Sequence, residues 1–560
     1  MQSARKFKVM VVGLDSATLD ILKPWMDSGL LPNLARLSRN GVALELESTI
    51  PPHTGAAWSS LITGVNPGKH GIYTLMEYLP GKGILPTDST RRRSRAVWDI
   101  LGLHGKKVIV VSVPITYPVE PVNGVMISGF MTPRNAGDYI YPRSLMDELK
   151  RVQGGFLIDG AEKRSALRGE YETVLIEGQN NVLQNHISST LYLMENYPWD
   201  FMMLVIHGTD VIQHKFFELL DKRHPLFDEK RSRKHAAAIL QYYQKVDEGL
   251  GKIIEKADDN TVILVPSDHG AGPLYRMVSI NNLLLRMGLL KFKRGVKVQL
   301  KYLLFRMGAT PLNLFRLALK LKLGGIRGQL RREGVRRKVR RFFLSLADVD
   351  WKRTRAYALG GWGQVFINMK SRGSDGVVEP GEESNVLVDM ISEELARIRD
   401  PRNGQTVFEK SNVFRKEQIY AGPHANSAPE ITAIAAPGYK AYPDYEFGFN
   451  SIVTDTFPGM GGTHTMNGML VMSGPAIERN ESVGKAKIVD VAPTILYLLD
   501  VPIPEDIDGR VLTEFLKPSL TRSRPARYQG ALGTRGEATH AYSEEEQEQL
   551  KKLLKELGYL

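Results

Sequence analysis

Aspartate and histidine residues recur beside four apolar runs of this chain of 560 residues. The residues are Asp15, Asp210, His214, Asp268, His269 and His464. Carboxylate and imidazole groups bind divalent cations such as Zn²⁺ and Mn²⁺, and the chain has no cysteine that could replace them. Six ligands of this kind suit two cations about 3.5–4 Å apart that share an oxygen of a substrate. The sequence therefore predicts a two-metal site.

A hydroxyl residue follows a proline pair and precedes a run of small, helix-forming residues. Its position places Thr54 at the predicted amino terminus of a helix. The exposed amides and the dipole of a helix start favour both an alkoxide and a phosphate oxygen. Thr54 is therefore the candidate nucleophile between the two metals, and a role as a helix cap alone is the alternative. Ser59, Ser60 and Thr63 lie further inside the same helix and are poorer candidates.

Short apolar runs separated by helical stretches must position these side chains. The runs are 9–13, 108–113, 125–128, 201–206, 262–266 and 469–472. Continuous apolar runs of this length are typical of buried parallel strands in an α/β sheet. Ligands of such sheets gather at the carboxyl ends of the strands, where Asp15, Asp210 and the Asp268-His269 pair stand. Asp210 and His214 are four residues apart and would share one face of a helix.

The candidate residues belong to short motifs that follow one another in a fixed order. After Asp15 the motifs are Pro51-Pro52-His53-Thr54, the LITGVNPGKHGI segment at 61–72, Thr209-Asp210-x3-His214, Ser267-Asp268-His269-Gly270 and Gly462-Thr463-His464. This order resembles the type I phosphodiesterase/nucleotide pyrophosphatase branch of the alkaline phosphatase superfamily, over about residues 8 to 510 apart from a basic insertion. The resemblance implies an α/β fold in which a central, mostly parallel sheet is flanked by helices and carries inserted cap regions.

The resemblance also implies how the metals and the hydroxyl are used. One metal, usually zinc and alternatively manganese, would be held by Asp210, His214 and His464. The second would be held by Asp15, Asp268 and His269 and would also contact Thr54. Thr54 would attack phosphorus in line and form a phospho-threonine, which water then hydrolyses. The implied activity is hydrolysis of phosphodiester or pyrophosphate bonds in nucleotides or related small-molecule phosphoesters.

One departure from the family pattern bears on the substrate. The family commonly has an asparagine a few residues after the His-Gly-Ile that follows the nucleophile, where it supports a phosphate oxygen, and this chain has none there. Thr74 is the residue that could replace it. Tyr73 or Tyr78 could stack on a base or simply pack, and Lys69 and His70 are predicted to be structural residues of a turn. The preference between diesters and monoesters, and between nucleotides, lipid headgroups and phosphonates, stays open.

Positive charge is concentrated in one insertion. Residues 291–342 contain seven lysines and ten arginines against a single acid, Glu333, in a chain whose net charge is +13. Leucines among these basic residues predict two or three amphipathic helices, broken by Gly308 and by Gly324-Gly325. We hypothesise that the insertion lies on an anionic membrane surface with its apolar face down. The alternative is a helix pair whose leucines pack on the catalytic domain. Nucleic-acid binding is disfavoured because few aromatic residues are available for stacking.

The chain divides into four predicted segments. They are a first part of the catalytic core at 1–285 with a helical arm or lid at 143–198, the basic helical insertion at 286–350, a second part of the core with a cap region at 351–515, and a linker with a C-terminal helix at 516–560. Smaller expectations are a strand pair over 357–368, a helix over 384–397, a loose linker over 517–541 and a final helix with a capping box at Ser543. No apolar run reaches the ~18–20 residues of a spanning helix, and no signal-peptide pattern precedes the first strand. We therefore expect a cytoplasmic protein or one peripheral to the membrane.

Three classes of function compete for this sequence. A two-metal hydrolase of phosphodiesters or pyrophosphates, acting on soluble or on lipid-derived membrane substrates, is favoured because all seven ligand and nucleophile positions are present. A phosphoryl or headgroup transferase or mutase would use the same site and pass the group to an alcohol. A non-catalytic membrane- or nucleic-acid-binding protein is disfavoured by the intact site. The physiological substrate, the metal and the oligomeric state are left undecided by the sequence.

Overall fold

The computed structural model describes residues 6–79, 83–160, 171–321, 342–443, 447–457, 459–536 and 542–557. The strands in these ranges are β1 (Lys8–Leu14), β2 (Gly41–Glu47), β3 (Met76–Leu79), β4 (Gly83–Pro86), β5 (Val108–Val113), β6 (Gly124–Ser128), β7 (Ile140–Tyr141), β8 (Phe201–Ile206), β9 (Thr261–Pro266), β10 (Gly270–Val278), β11 (Ala356–Ala358), β12 (Gln364–Ile367), β13 (Val413–Arg415), β14 (Ile431–Ala433), β15 (Gly438–Ala441), β16 (Val453–Asp455), β17 (Gly462–Thr465), β18 (Asn467–Ser473), β19 (Asn480–Lys487), β20 (Ile503–Pro504) and β21 (Tyr528–Gln529).

Helices alternate with these strands. They are α1 (Leu19–Asp27), α2 (Pro32–Arg39), α3 (Thr54–Thr63), α4 (Pro67–His70), α5 (Val97–Leu103), α6 (Ser144–Gln153), α7 (Tyr171–Asn196), α8 (Gly208–Leu220), α9 (Glu229–Ile254), α10 (Ile280–Arg286), α11 (Val296–Arg306), α12 (Pro311–Lys320), α13 (Glu382–Ala396), α14 (Lys416–Ile419), α15 (Val491–Leu498), α16 (Pro518–Ser523) and α17 (Glu544–Leu557).

Nine strands form the central sheet, in the order β19-β2-β18-β9-β1-β8-β5-β6-β7. The run from β9 through β1, β8 and β5 to β6 is parallel throughout, and β19 is parallel to β2. The antiparallel neighbours are β18 with β2 and β9, and β7 with β6. The prediction of an α/β fold with a mostly parallel sheet is confirmed, and all six apolar runs lie in this sheet.

Side chains of β1 alternate between two hydrophobic cores, one on each face of the sheet. Met10 and Val12 belong to a core with residues of α1, α2 and α6–α9, whereas Val9 and Val11 belong to a core with residues of α3, α5 and α15. Helices therefore cover both faces, as a buried parallel sheet requires. The helical region 143–198 contributes α6 and α7 to the first of these layers.

The apolar run 469–472 differs from the prediction in its direction. It forms β18, which is antiparallel to β9 and not parallel to it. Because of this reversal, β18 begins at the edge where the parallel strands end. The segment just before β18, which carries His464, is thereby brought to the same edge as Asp15 and Asp268.

Residues 278–453 contribute to a third hydrophobic core, which contains α10, α13 and the small sheet β11-β12-β14-β13. The antiparallel pair β11–β12 confirms the strand pair predicted over 357–368, and α13 confirms the helix predicted over 384–397. Strand β10 pairs with β15, β16 and β17 in a further sheet. It leads from the end of β9 into this cap region.

Helices α11 and α12 are the described helices of the basic insertion. They break at Gly308, which has φ of +83°, as predicted. Phe305 of α11 is buried in the third core, and the guanidinium of Arg316 on α12 donates to the Thr454 hydroxyl at 2.7 Å. The second predicted break, Gly324-Gly325, lies outside the described residues. Among the described helices, none has the length and apolar character needed to span a membrane.

The segment after the last core strand differs from its prediction. A loose linker over 517–541 is wrong for the described part, which includes α16, the pairing of β21 with β20, and an ion pair between Arg535 and Glu120. The capping box of the final helix is confirmed. The Ser543 amide donates to Glu546 at 2.8 Å, and the Glu546 amide donates to the Ser543 hydroxyl at 3.2 Å.

Candidate two-metal site

The six predicted ligands lie together at one edge of the central sheet. Asp15 follows β1, the pair Asp210 and His214 lies on α8, the pair Asp268 and His269 joins β9 to β10, and His464 lies on β17. All six side chains are buried. They meet because β1, β8 and β9 end at this edge, and because β17 pairs antiparallel with the first residues of β10.

Asp210, His214 and His464 form what we call the first cluster. Asp210 Oδ1 lies 3.4 Å from His214 Nε2 and 3.3 Å from His464 Nε2. The two Nε2 atoms are 2.8 Å apart. The four-residue spacing on α8 gives Asp210 and His214 this geometry, as the sequence predicts.

Asp15, Asp268 and His269 form the second cluster. His269 Nε2 lies 3.0 Å from Asp268 Oδ2 and 3.8 Å from Asp15 Oδ1. The other oxygen of Asp268 accepts a hydrogen bond from the Ser16 amide at 3.1 Å. The two clusters abut, because the rings of His269 and His464 are stacked with their centroids 3.5 Å apart.

The histidine contacts fit metal ligation. In each of the three candidate ligand histidines, Nδ1 lies close to a backbone carbonyl oxygen. The carbonyls are those of Pro52 for His464 at 2.8 Å, Gly462 for His214 at 3.1 Å and Gly270 for His269 at 3.1 Å. Such carbonyls fix the tautomer with a proton on Nδ1 and leave Nε2 as a lone-pair donor. The facing Nε2 lone pairs of the first cluster repel one another unless a cation binds both.

The carboxylates of the site also fit bound cations. Asp15 Oδ1 is buried and accepts no hydrogen bond from the described residues. Burial and then the charge of Asp268 raise the pKa of Asp15 to about 7. Burial alone would lower the pKa of His269, but Asp268 and Asp15 raise it to about 9. The negative charge of the facing carboxylates is therefore not fully balanced by the protein. Two divalent ions at the clusters would supply the missing positive charge.

Thr54 is the first residue of α3 and lies beside the second cluster. Its Oγ1 is 3.2 Å from His269 Nε2, and its side chain is fully buried. The helix cap is His53, whose Nδ1 accepts a hydrogen bond from the Gly55 amide at 3.2 Å. The interpretation of Thr54 as only a helix cap is therefore wrong. Its hydroxyl lies at the positive end of the α3 dipole, next to a group of candidate cation ligands.

The other hydroxyl residues of α3 have partners of their own. Ser60 Oγ lies 2.9 Å from His70 Nε2, and the Thr63 hydroxyl donates to the Ser59 carbonyl at 2.6 Å. His70 is thus engaged with the helix, which agrees with its predicted structural role in the turn.

Residues of the following turn are engaged as well. Lys69 forms an ion pair with Asp508, and the Thr74 hydroxyl bonds to the backbone two residues further on. The Tyr73 hydroxyl donates to a backbone carbonyl of the cap region at 2.8 Å. The contacts of Tyr73 are those of packing, and the side chain of Tyr78 lies outside the described residues.

Two side chains that donate to Asp15 were not predicted from the sequence. The Trp58 indole N–H donates to Asp15 Oδ2 at 3.1 Å, and His207 Nδ1 lies 2.9 Å from the same oxygen. The His207 ring stacks on Phe130 with centroids 4.1 Å apart. The ligand atoms of Asp15, His207 and Asp210 lie within 4.8 Å of one another. His207 follows directly after β8, and this position at a strand end is the sequence signal that could have indicated it.

Two residues of the cap region lie on one side of the first cluster. The centroid of the Trp362 ring lies 4.4 Å from that of His464 and 5.7 Å from that of His53. Lys440 on β15 is 2% exposed and holds Nζ 4.7 Å from the centre of the Trp362 ring. Burial lowers the pKa of Lys440 to about 8, and the negative charge of Asp210 offsets part of this lowering. Nothing in the local sequence around either residue indicates this position.

The fold and the site together define an α/β protein with two buried Asp/His clusters, consistent with a two-metal site, at the carboxyl edge of its sheet. The sequence profile of one family, described as type I phosphodiesterase / nucleotide pyrophosphatase, matches residues 9–466. The match covers most of the chain, so the chain belongs to this family and is a metal-dependent enzyme. A comparison with curated proteins finds no match.

Several solved structures are similar to the chain at low sequence identity. An inactive form of murine ectonucleotide pyrophosphatase / phosphodiesterase 5 in complex with AMP is 12% identical, and the similarity covers 91% of this chain and 100% of that one with a TM-score of 0.48. The human protein of the same name is 13% identical, with coverages of 91% and 100% and a TM-score of 0.47. Phosphonoacetate hydrolase from Sinorhizobium meliloti 1021, in complex with phosphonoacetate, is 13% identical, with coverages of 89% and 96% and a TM-score of 0.48.

Proposed function

We propose that the protein hydrolyses phosphodiester or pyrophosphate bonds of nucleotides or related phosphoesters, through a covalent phospho-threonine at Thr54. The observation that carries the proposal is the distance of 3.2 Å between Thr54 Oγ1 and His269 Nε2, at the start of α3 and beside two abutting clusters. A hydroxyl at the positive end of a helix and next to cation ligands is a preorganised nucleophile. Zinc is the proposed metal and manganese the alternative, because each cluster offers three nitrogen or oxygen ligands and leaves a coordination position open.

In this proposal the two clusters act on opposite sides of the reacting phosphorus. Divalent ions at the clusters would supply positive charge that favours the Thr54 alkoxide and stabilises the phosphoryl oxygens. Thr54 lies at the second cluster, so in-line attack by its Oγ1 directs the departing oxygen toward the first cluster. The water that later cleaves the phospho-threonine enters from that same side. A transferase or mutase would differ only in admitting an alcohol there.

The experiment traps the covalent intermediate. Metal-loaded protein turning over a chromogenic phosphodiester is quenched in acid, and the modified peptide is located by mass spectrometry. We expect the transferred group on Thr54. Thr63→Ala removes another buried hydroxyl of α3 and should keep the adduct, whereas an adduct on a different residue contradicts the proposal. Adding an alcohol acceptor then separates hydrolysis from transfer, since a transferase yields the alkyl phosphoester as its main product.

We also propose that the insertion holds the enzyme at an anionic membrane surface. Its apolar side chains form exposed stripes at helical spacing, 88% exposed at Val296 and 70% at Met307. The stripes consist of Val296, Leu300, Leu303 and Met307 on α11 and of Leu314, Leu317 and Leu321 on and just after α12. With Phe342, the insertion holds eight of the fifteen exposed large apolar side chains of the described chain. These stripe residues are exposed, whereas Phe305 and Leu312 of the same helices pack against buried cores of the protein, as the alternative expects.

The opposite face of α11 is anchored to the protein. Phe305 is buried in the cap core, and Lys301 pairs with Asp348 at 2.9 Å. The exposed stripe is accompanied by exposed cationic residues, which are Lys293, Arg294, Lys297 and Arg306. Such a surface binds anionic headgroups through its charge while its apolar side chains enter the interface.

The vesicle experiment uses the full-length protein. We expect co-sedimentation with vesicles that contain phosphatidylserine, loss of binding at high salt, and little binding to phosphatidylcholine alone. Equal binding to both vesicle types, or no binding by an enzyme that is active on soluble substrate, contradicts the membrane proposal and leaves the hydrolase proposal intact.

A further inference from the structure

We propose that Arg92, Arg535 and Trp98 form a binding site for a small oxyanion, of the chemical class of inorganic phosphate. The site lies where the segment after β21 meets the start of α5 and the residues before it, and the Arg535 amide donates there to the Arg93 carbonyl at 2.7 Å. None of the candidate metal ligands takes part. The site is therefore separate from the two clusters and independent of the proposed hydrolase activity.

Arg92 is a fully buried cation with too few acceptors. Its Nη2 donates to Glu120, but Nε and Nη1 are buried and have no hydrogen-bond partner among the described residues. Arg276, by contrast, is also buried but has an acceptor for each of these nitrogens. Its Nε and Nη2 each donate to Asp400 at 2.8 Å, and its Nη1 donates to Asp455. Two unpartnered donors on one buried cation indicate that an acceptor is missing.

The one carboxylate that Arg92 contacts is shared with a second arginine. Arg535 Nη2 pairs with the other oxygen of Glu120, so two guanidinium groups face one carboxylate. Arg535 Nη1 is likewise buried and without a partner in the described chain. The reverse arrangement occurs at Arg231, whose single guanidinium pairs with two glutamates, each at 2.9 Å. Glu120 alone can balance only one of the two positive charges.

A second carboxylate compensates this surplus only in part. The charge of Asp99 interacts with those of Arg92 and Arg535, but its Oδ2 accepts a hydrogen bond from the Ala96 amide at 2.9 Å. Burial and then the charge of Glu120 raise the pKa of Asp99, which weakens its contribution of negative charge. A further anion would complete the balance.

The other unpartnered nitrogens near this place are donors too. Trp98 Nε1 and Arg95 Nε are buried and have no partner among the described residues, and the guanidinium carbon of Arg92 lies 5.6 Å from the centre of the Trp98 ring. Arg95 and Arg535 are half-buried, so the group reaches the protein surface. A water molecule would supply one oxygen and no charge. A tetrahedral oxyanion supplies several acceptor oxygens together with the missing negative charge, and guanidinium groups bind such anions in a bidentate manner.

A bound oxyanion would also fasten one part of the chain to another. Arg92 belongs to the catalytic core, whereas Arg535 belongs to the segment that follows β21. An anion held by both would remove the repulsion between the two guanidinium groups and stabilise the docking of this segment. We therefore expect phosphate to reduce local opening of residues 524–536.

The experiment uses the full-length, metal-loaded protein and a readout that is local to the site. Hydrogen exchange followed by mass spectrometry should show slower exchange of residues 524–536 when inorganic phosphate is added. The phosphate concentration that gives half of this protection should rise at least about tenfold in Arg92→Met and in Arg535→Gln. Arg231→Met is the matched control and should keep the value of the parent. Thymidine 5′-monophosphate, titrated in parallel, distinguishes a site for the free ion from one for the phosphate of a nucleotide.

Arg535→Gln keeps the test decisive if the buried substitution Arg92→Met prevents folding, because Arg535 is only half-buried. Protection of residues 524–536 by neither phosphate nor the nucleotide would overturn the site. Equal protection in the parent and in the folded variants would overturn it as well. Since the readout is exchange and not turnover, a parent without hydrolase activity would refute the proposed function and still decide the anion site.

Discussion

The metal site and the basic insertion both concentrate charge, in opposite surroundings. At the carboxyl edge of the sheet, three aspartates and three histidines are buried and converge within a few ångströms. In the insertion, seven lysines and ten arginines lie in one short segment, and those on α11 are mostly exposed. The first region brings distant parts of the chain together, whereas the described part of the second consists mainly of two local helices, α11 and α12.

The comparison shows that a buried charge and an exposed charge carry different structural information. Burying an ion costs several kcal/mol unless a partner compensates it, so facing buried carboxylates require a cation. An exposed charge costs almost nothing and therefore says little alone. In the insertion, the informative residues are the apolar ones. Leu300 and Leu303 are more than half exposed among cations, which is typical of an interaction surface.

The largest expected effect comes from removing the nucleophile. Thr54→Ala should lower kcat for a chromogenic phosphodiester by roughly 10⁴-fold, because no other hydroxyl of α3 is placed at the clusters. Metal content by elemental analysis and vesicle binding should not change, and Thr54→Ser should keep measurable turnover. A Thr54→Ala enzyme within about tenfold of its parent would refute the nucleophile assignment.

Removing a metal ligand should affect both activity and stability. Asp210→Asn should lose bound metal and nearly all turnover, and chelation of the parent should be reversed by zinc or manganese. Chelation should also lower Tm, since the facing carboxylates then repel one another. The metal-free Asp210→Asn protein should melt above the metal-free parent, because it has one carboxylate fewer.

The matched control for this change is an aspartate in an exposed pair. Asp27 pairs with Lys23 at 2.7 Å on the surface of α1, so Asp27→Asn should alter neither metal content nor turnover. Full activity of the parent after exhaustive chelation, with metal absent by elemental analysis, would rule out the two-metal mechanism.

A smaller effect is expected from His207, which positions Asp15. His207→Ala should weaken metal affinity about 10–100-fold in a zinc titration while kcat at saturating zinc stays near that of the parent. His207→Asn should restore part of the affinity, because its amide can donate to Asp15. An unchanged zinc titration curve for His207→Ala would show that His207 does not support metal binding through Asp15.

The smallest effect on catalysis is expected in the insertion. Replacing Leu300 and Leu303 together by Glu should reduce binding to anionic vesicles severalfold and leave turnover of a soluble substrate unchanged. Leu220→Glu, an exposed leucine outside the insertion, is the matched control. If the double variant binds vesicles like its parent while Leu220→Glu does not, the docking surface is elsewhere.

Much of the fold could be predicted because buried strands consist of continuous apolar residues. The runs at 108–113 and 201–206 coincide with β5 and β8. Strand β2 was missed because polar residues alternate along it, and the direction of β18 could not be read because local sequence does not encode pairing partners. The linker at 517–541 was misjudged because its polar composition hides the pairing of β21 with β20.

The site was predictable where ligands share a motif and unpredictable where they do not. Asp210 and His214 were visible through their helical spacing, and Asp268-His269 through its place after a strand. Trp362 and Lys440 lie far from these motifs along the chain, and a lone tryptophan or lysine has no signature. Trp362 reaches the site through its contact with His464, and Lys440 through its contact with Trp362, and both contacts require the cap region to be folded.

The contact between Trp58 and Asp15 also has an optical consequence. The indole N–H donates to the carboxylate. The ring also packs closely on Gly13, where an added Cβ would lie 2.4 Å from a ring carbon. The ring is thus clamped between strand and helix, and the emission of a clamped indole responds to a cation placed on its hydrogen-bond acceptor. The fluorescence difference between the parent and Trp58→Phe should therefore follow metal loading of Asp15 directly, in real time and without any substrate.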